Sequence, residues 1–130
     1  MKILVGYDGT NVAKEALNIA KQHALAFGAK VDVITSMEKG TEAQREKIEQ
    51  AERGLEWAKS LFTDSDIDCS THLLIRGIPP GEDLVQFAEE QNADEIVIGV
   101  KRRSKVGKLL MGSTAQYVIL KAGCPVMSVK

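Results

Sequence analysis

Short apolar runs alternate with longer amphipathic segments along the whole chain. Five of these runs are rich in valine and isoleucine and only six or seven residues long, which is typical of β-strands. They are KILVGY (2–7), KVDVITS (30–36), CSTHLLI (69–75), DEIVIGV (94–100) and PVMSVK (125–130). The pattern therefore predicts five strands.

Between the strands, apolar residues recur at the three- and four-residue steps of a helix. The predicted helices span 11–27, 41–62, 81–92 and 112–122. Thr10 or Asn11 can cap the first helix, Gly28 can end it, and Thr41 can cap the second. The buried stripe predicted for the last helix consists of Ala115, Val118, Ile119 and Ala122.

The resulting order, β-α-β-α-β-α-β-α-β, is typical of an α/β protein with a mainly parallel sheet and helices on both faces. With 130 residues, the chain fits one domain, residues 1–130, around an open, doubly wound, five-stranded sheet. Such sheets bind ligands at the carboxyl ends of their strands, near the point where the strand order switches. Periodicity alone does not give that order.

Composition and charge disfavour several classes of protein. The formal net charge is −1, so the overall field attracts neither nucleic acid nor an anionic membrane. No apolar run approaches the roughly 20 residues that span a bilayer, and the start, MKILVGYDGT, lacks the apolar core of a signal peptide. We therefore expect a cytoplasmic protein in which Cys69 and Cys124 are reduced.

The stretch IGVKRRSKVGKLLMGSTAQ (98–116) joins the fourth strand to the last helix and suits phosphate. Gly112 allows close approach to the backbone, while Ser113 and Thr114 add hydroxyls to the free N–H groups of a helix start. Countercharge comes from Lys101, Arg102, Arg103, Lys105 and Lys108. The alternative is that Ser113 only caps a helix and the basic run is a solvated loop.

Two common phosphate-binding motifs are absent. A Walker A loop reads G-x-x-x-x-G-K-[ST], but Arg102 stands at its first glycine and Leu109 at its hydroxyl residue. The first strand is followed by GYDGTN rather than by G-x-G-x-x-G. The chain is therefore predicted to be neither a P-loop NTPase nor a typical dinucleotide-binding domain.

A third pattern, G-x2-G-x9-G-[ST], fits better, and through it the sequence resembles the ATP-binding branch of the universal stress protein family. Gly99 takes the first position and Gly112-Ser113 the last two, whereas Arg102 replaces the second glycine. The resemblance extends to ILVGYDGT, ADEIVIGV and GSTAQYVILKAGCPVMSV. It implies an adenine nucleotide alpha hydrolase-like fold with the flavodoxin-like strand order 3-2-1-4-5.

The resemblance also implies that ATP, ADP or AMP binds across the ends of strands one, two and four, and Mg²⁺ commonly travels with ATP. Asp8 would contact the ribose or the base, with a turn or helix-cap role as the alternative. The backbone of Ser36 would contact adenine, while Gly99 and Lys101 would border the phosphates. The predicted nucleotide-binding residues are Tyr7, Asp8, Gly9, Ser36, Gly99, Lys101, Arg102, Arg103, Gly112, Ser113 and Thr114, with no catalytic or metal-ligating residue among them.

Arg102 leaves two outcomes open. Its guanidinium can fork onto phosphate oxygens and keep nucleotide affinity, or it can fill the pocket, so that AMP, another phosphorylated ligand or nothing binds.

For the assembly, the resemblance implies a homodimeric stress-response sensor or regulator whose last strand, 125–130, pairs with its twofold mate. A helical interface using Trp57 is the rival. The alternative functions are a dimeric interaction module without nucleotide and a slow ATP hydrolase. Nucleic-acid binding through residues 101–108 is disfavoured because the loop lacks interleaved aromatic residues.

Overall fold

The computed structural model describes residues 1–100 and 111–130. Their elements are β1 (Lys2–Gly6), α1 (Asn11–Phe27), β2 (Lys30–Met37), α2 (Arg45–Thr63), β3 (Cys69–Ile75), α3 (Pro80–Gln91), β4 (Glu95–Gly99), α4 (Ser113–Lys121) and β5 (Val126–Val129). Each predicted strand and helix is present. The largest difference is at the start of α2, where a short 3-10 helix, Glu42–Gln44, replaces the predicted first turn.

The five strands form a parallel sheet in the order β3-β2-β1-β4-β5. The predicted fold class and the strand order implied by the resemblance are therefore confirmed. β1 lies at the centre and pairs with β2 on one side and β4 on the other. Because the strand order switches direction between β1 and β4, their carboxyl ends border the crevice in which such folds bind ligands.

The helices cover both faces of the sheet because the strand side chains alternate in direction. Ile3 of β1 packs in one core with α1 and α2, whose largest fully buried contributions are Leu17 and Phe62. Leu4 points to the opposite face and packs in a second core with α3 and α4, which contribute Phe87 and Val118. Burial of each such side chain stabilises the fold by about 1.5–3 kcal/mol.

The ends of α1 follow the predicted capping chemistry. The Thr10 hydroxyl accepts a hydrogen bond from the Ala13 N–H at 3.2 Å, so Thr10 is the N-cap. Gly28 ends the helix in the left-handed conformation with φ of 65°, which glycine adopts without strain. By contrast, Thr41 makes no side-chain capping bond to the 3-10 helix that it precedes.

One prediction for α4 is wrong. Ala115 and Val118 are buried as expected, but the Ile119 side chain is 37% exposed. Tyr117 packs against the second core instead, and its Cβ lies close to Gly81 of α3. The contact with α3 thus uses the side of α4 that carries Tyr117. Among the helices in the described ranges, 1–100 and 111–130, none is long and apolar enough to cross a membrane.

Candidate functional site

A cavity of about 390 Å³ lies at the carboxyl ends of β1 and β4. Five segments form its wall: the end of β1 with the loop into α1, the end of β2, the start of α3, the end of β4, and the start of α4. The described lining residues are Gly6, Tyr7, Asp8, Thr10, Val12, Ala13, Ile34, Ser36, Pro80, Leu84, Ile98, Gly99, Gly112, Ser113, Thr114 and Ala115. The cavity thus reaches across three neighbouring strands, from β2 through β1 to β4.

The chemistry of the wall changes from one side of the cavity to the other. Ile34 of β2 and Leu84 of α3 make its β2 side apolar, and Ser36 adds one hydroxyl there. On the side of β4, the chain returns to the cavity as residues 112–114, with backbone N–H groups and hydroxyls. Since neighbouring strands lie about 4.8 Å apart, the two sides are separated by about 10 Å.

The start of α4 presents its positive end to this cavity. Gly112 is the N-cap residue, and its carbonyl accepts the Gln116 N–H at 3.0 Å. The first N–H groups of a helix have no partner within it, and together with the helix dipole they favour an anion. Gly112 rather than Ser113 is therefore the N-cap, which contradicts a capping role for Ser113; the basic run of that alternative lies outside the described residues.

Asp8 stabilises the turn before α1 and also lies on the cavity wall. Its Oδ1 accepts a hydrogen bond from the Thr10 N–H at 3.1 Å and one from the Thr10 hydroxyl at 2.6 Å, which is the predicted turn role. The residue is exposed and also lines the cavity. Gly9 turns the chain between them with φ of 82° and is not among the lining residues.

Tyr7 and Gly99 shape the wall at the ends of β1 and β4. The Tyr7 ring is buried in the first core. Its centroid lies 6.3 Å from the centroid of the Trp57 ring. Burial, and secondarily the charge of Asp8, raise the pKa of the Tyr7 hydroxyl above its ordinary value. Gly99 faces Val12 so closely that any side chain there would meet its backbone.

An ionic network around the buried carboxylate of Asp83 supports the β2 side of the cavity, and no sequence pattern predicted it. Asp83, in the first turn of α3, is fully buried. Its Oδ2 accepts a hydrogen bond from the Ser36 hydroxyl at 2.6 Å, and its Oδ1 accepts one from Arg76 Nε at 2.5 Å. Arg76 also donates from Nη1 to Glu90 at 2.8 Å. An acidic residue in the first turn of a helix is ordinarily explained by the helix dipole. The sequence around Asp83 therefore does not indicate that this side chain is buried.

The network fixes the charge state of its cation. Burial lowers the pKa of the Arg76 guanidinium, but its hydrogen bonds to Asp83 and Glu90 outweigh that effect and raise the pKa above its ordinary value. The pair Asp83–Arg76 is thus a buried carboxylate held by a permanent cation, in which removal of either partner is expected to be costly.

The two histidines lie away from the cavity wall. His23 Nδ1 lies 2.8 Å from Glu95 Oε1, and His72 Nε2 lies 3.1 Å from Asp32 Oδ1. Across residues 1–100 and 111–130, no group of three or more His, Cys, Asp or Glu side chains is placed to hold a metal ion. The predicted site residues Lys101, Arg102 and Arg103 lie outside the described residues.

Comparison with known proteins identifies the family of the chain. The model of the universal stress protein family matches residues 1–130. This chain belongs to the universal stress protein family. A universal stress protein of Thermus aquaticus is 34% identical over 137 residues, which cover 98% of this chain and 97% of the relative.

Solved structures of universal stress proteins share the fold. One from Archaeoglobus fulgidus is 40% identical and superposes with a TM-score of 0.92. The match covers 100% of this chain and 98% of that structure's chain. A structure of the universal stress protein from Archaeoglobus fulgidus in complex with dAMP is 36% identical, with a TM-score of 0.85 and the same coverage.

Proposed function

We propose that this universal stress protein binds an adenine nucleotide, ATP or its relatives ADP and AMP, in the cavity across β2, β1 and β4. The base lies on the apolar β2 side, and the phosphates lie against residues 112–114. As a single cytoplasmic domain of residues 1–130, the protein acts as a homodimeric sensor whose bound nucleotide is its signal.

The observation that carries this proposal is the placement of an apolar slot and a helix start at two sides of one cavity. A nucleotide needs both, because its base is flat and largely apolar whereas its phosphates are anionic. Asp8 lies between them, at the end of the central strand, where a carboxylate can accept from ribose hydroxyls. The relative from Archaeoglobus fulgidus solved with dAMP supports an adenine mononucleotide as the ligand class.

Mg²⁺ would enter with the phosphates of ATP rather than through a protein cage. Among the described lining residues, Asp8 is the carboxylate that could contact it. One carboxylate together with phosphate oxygens is a common environment for Mg²⁺. Retention of nucleotide affinity with Arg102 in place of the second motif glycine remains part of the proposal.

Direct binding measurements test the nucleotide site. Protein stripped of ligand by unfolding and refolding is titrated calorimetrically with ATP, ADP, AMP and inorganic phosphate. Ser113→Asp places a negative charge beside the proposed phosphate position, yet an acidic residue at a helix start favours the helix itself. We expect ATP affinity to fall at least about tenfold, which corresponds to ~1.4 kcal/mol.

The matched control is Gln116→Glu, which adds the same charge to α4 outside the cavity wall. It should change ATP affinity by less than about threefold, because an exposed charge is screened by solvent. Failure of stripped, folded wild-type protein to bind any of the adenine nucleotides would refute the proposal and favour the interaction module without nucleotide.

The homodimer part of the proposal rests on β5. In the described sheet, β5 pairs only with β4, so its other edge is free to pair. Met127 of β5 is an exposed apolar side chain, and so are Ile119 and Leu120 of α4, the helix that precedes β5; Leu120 is 76% exposed. An open edge with exposed apolar side chains is what a strand-to-strand dimer would cover.

Strand geometry selects the variant that tests this interface. The Pro125 carbonyl accepts a hydrogen bond from Ile96 of β4, and the Val129 carbonyl accepts one from Val100, the residue after β4. Because successive residues of a strand turn their backbone groups to opposite edges, the backbone of Ser128 faces the free edge. Ser128→Pro removes an outward N–H without removing a bond to β4. We expect a monomer by light scattering for Ser128→Pro and a dimer for the control Ser128→Ala; a monomeric wild type would contradict the proposal.

A further inference from the structure

Ser36 lies where the apolar β2 side of the cavity meets the ionic network around the buried Asp83. It donates to Asp83 Oδ2 at 2.6 Å, while Asp83 Oδ1 is held by Arg76. Ser36 also lines the cavity with Ile34 and Leu84. One residue thus both contacts a fixed carboxylate and borders the space proposed for the base.

The network determines which way the Ser36 hydroxyl points its proton. A serine hydroxyl has one proton to donate and two lone pairs that accept. An ionised carboxylate can only accept, and Arg76 can only donate, so the Ser36 proton is committed to Asp83. What Ser36 Oγ offers to the cavity is therefore a lone pair.

We propose that Ser36 selects the base and that Asp83 is a positioning residue, which keeps the Ser36 oxygen available as a hydrogen-bond acceptor. This inference rests on the proposed function. The Ser36 oxygen accepts a hydrogen bond from the exocyclic amino group of the base. A base that lacks an amino group at this edge leaves the Ser36 oxygen without a donor, and the site discriminates against it. The specificity is carried by a side chain, in addition to any backbone contact of β2.

Two nucleotides that differ only in the amino group test this polarity. ATP and purine riboside 5′-triphosphate share ribose, phosphates and ring, but the second has hydrogen at C6. Calorimetric titration of both should show that wild-type protein prefers ATP by about tenfold, the scale of one neutral hydrogen bond. The ratio of the two affinities is the readout, because a merely structural defect weakens both ligands alike.

Three variants separate the roles of the two residues. Ser36→Ala removes the side-chain acceptor and should lower the ratio at least about threefold, while phosphate contacts still hold both ligands. In Asp83→Asn, the amide oxygen can stay on Arg76 while the amide N–H donates to Ser36, which frees the Ser36 proton to donate to ring nitrogen N1. That variant should also show a reduced preference for ATP. The control Thr35→Val deletes the neighbouring hydroxyl, which donates to the Tyr7 carbonyl rather than to Asp83, and should keep the wild-type ratio.

The outcomes distinguish this inference from the function on which it rests. If wild-type protein binds both nucleotides equally well, or if Ser36→Ala keeps the full preference, the inference is overturned although the nucleotide site stands. If wild-type protein binds neither, the proposed function fails and the inference fails with it. Should Asp83→Asn not fold, Ser36→Ala alone decides the question.

Discussion

The end of β4 and the start of α1 are in direct contact through Gly99 and Val12. A Cβ added to Gly99 would lie 2.9 Å from Val12 Cγ1 and 3.1 Å from both the carbonyl carbon and the oxygen of Val12. Two of these three atoms are backbone, which cannot rotate away. The motif glycine is therefore needed for packing of α1 against β4, quite apart from any ligand, and both residues line the cavity.

Gly99→Ala should destabilise the fold by about 1–3 kcal/mol, because overpacking forces α1 away from the sheet. Chemical denaturation followed by circular dichroism measures the change. Gly123→Ala is the control, since a Cβ at Gly123 meets nothing within 4 Å. A Gly99→Ala protein as stable as the wild type would show that α1 can shift without cost.

The fold could be predicted closely because its signals are local. Valine-rich runs, helical spacing, Thr10 and Gly28 each report on a few neighbouring residues, and the bounds of α1 match the prediction. Parallel strands place their carboxyl ends at one edge, which is where the family resemblance puts Asp8 and Ser36, and both line the cavity there. The strand order could not be predicted from periodicity, because strand pairing depends on contacts between distant segments. It was predicted from the family resemblance.

The parts of the site that could not be predicted depend on such distant contacts. Asp83 and Ser36 are 47 residues apart in sequence, and nothing in IPPGED distinguishes a buried acidic residue from an exposed one. Ile119 fits the apolar stripe of α4 by spacing, yet Tyr117 occupies the contact with α3. Local pattern cannot choose between two apolar neighbours when the partner helix decides.

Thr10→Ala should lower the free energy of unfolding by about 1 kcal/mol, the usual cost of losing an N-cap side chain. The Thr10 hydroxyl both accepts from the Ala13 N–H and donates to Asp8, so Asp8 also loses a partner. Urea denaturation measures the loss. Thr41→Ala is the matched control, because Thr41 makes no capping bond, and equal losses in the two variants would contradict the capping role.

The thiol of Cys69 should make stability depend on alkaline pH. Burial raises its pKa from the ordinary 9.0 to about 11 in the folded protein. Between those values the unfolded chain binds fewer protons than the folded one, so stability falls as pH rises. The contribution is complete below pH 9.0 and is lost towards about pH 11, amounting to about 2 kcal/mol.

Comparison with Cys69→Ala isolates that contribution from other groups that titrate at alkaline pH. Unfolding free energies are measured from about pH 8 to about pH 10.5, and the wild type should lose more stability than the variant over this range. Parallel pH profiles of the two proteins would exclude the thiol as the cause. Cys124→Ala, at a less buried thiol, should show a smaller difference.

Two helical glycines are expected to respond in opposite directions to the same substitution. Alanine stabilises a helix interior by about 0.5–1 kcal/mol relative to glycine. At Gly54 of α2, the new Cβ meets only Tyr7 Cε2 at 3.4 Å, an ordinary contact, so Gly54→Ala should stabilise the protein by about that amount. At Gly81 of α3, the new Cβ would lie 2.9 Å from Tyr117 Cβ and 3.3 Å from the Thr114 carbonyl oxygen.

Gly81→Ala should therefore destabilise the protein by about 1–2 kcal/mol, because the clash with α4 outweighs the gain in helix propensity. Since Thr114 lies in the first turn of α4, the displacement should also move residues 112–114 and weaken ATP binding. Denaturation and calorimetric titration of both variants measure the two effects. Stabilisation by Gly81→Ala, with ATP affinity unchanged, would mean that α4 accommodates the methyl group and that the helix start is not held in place by α3.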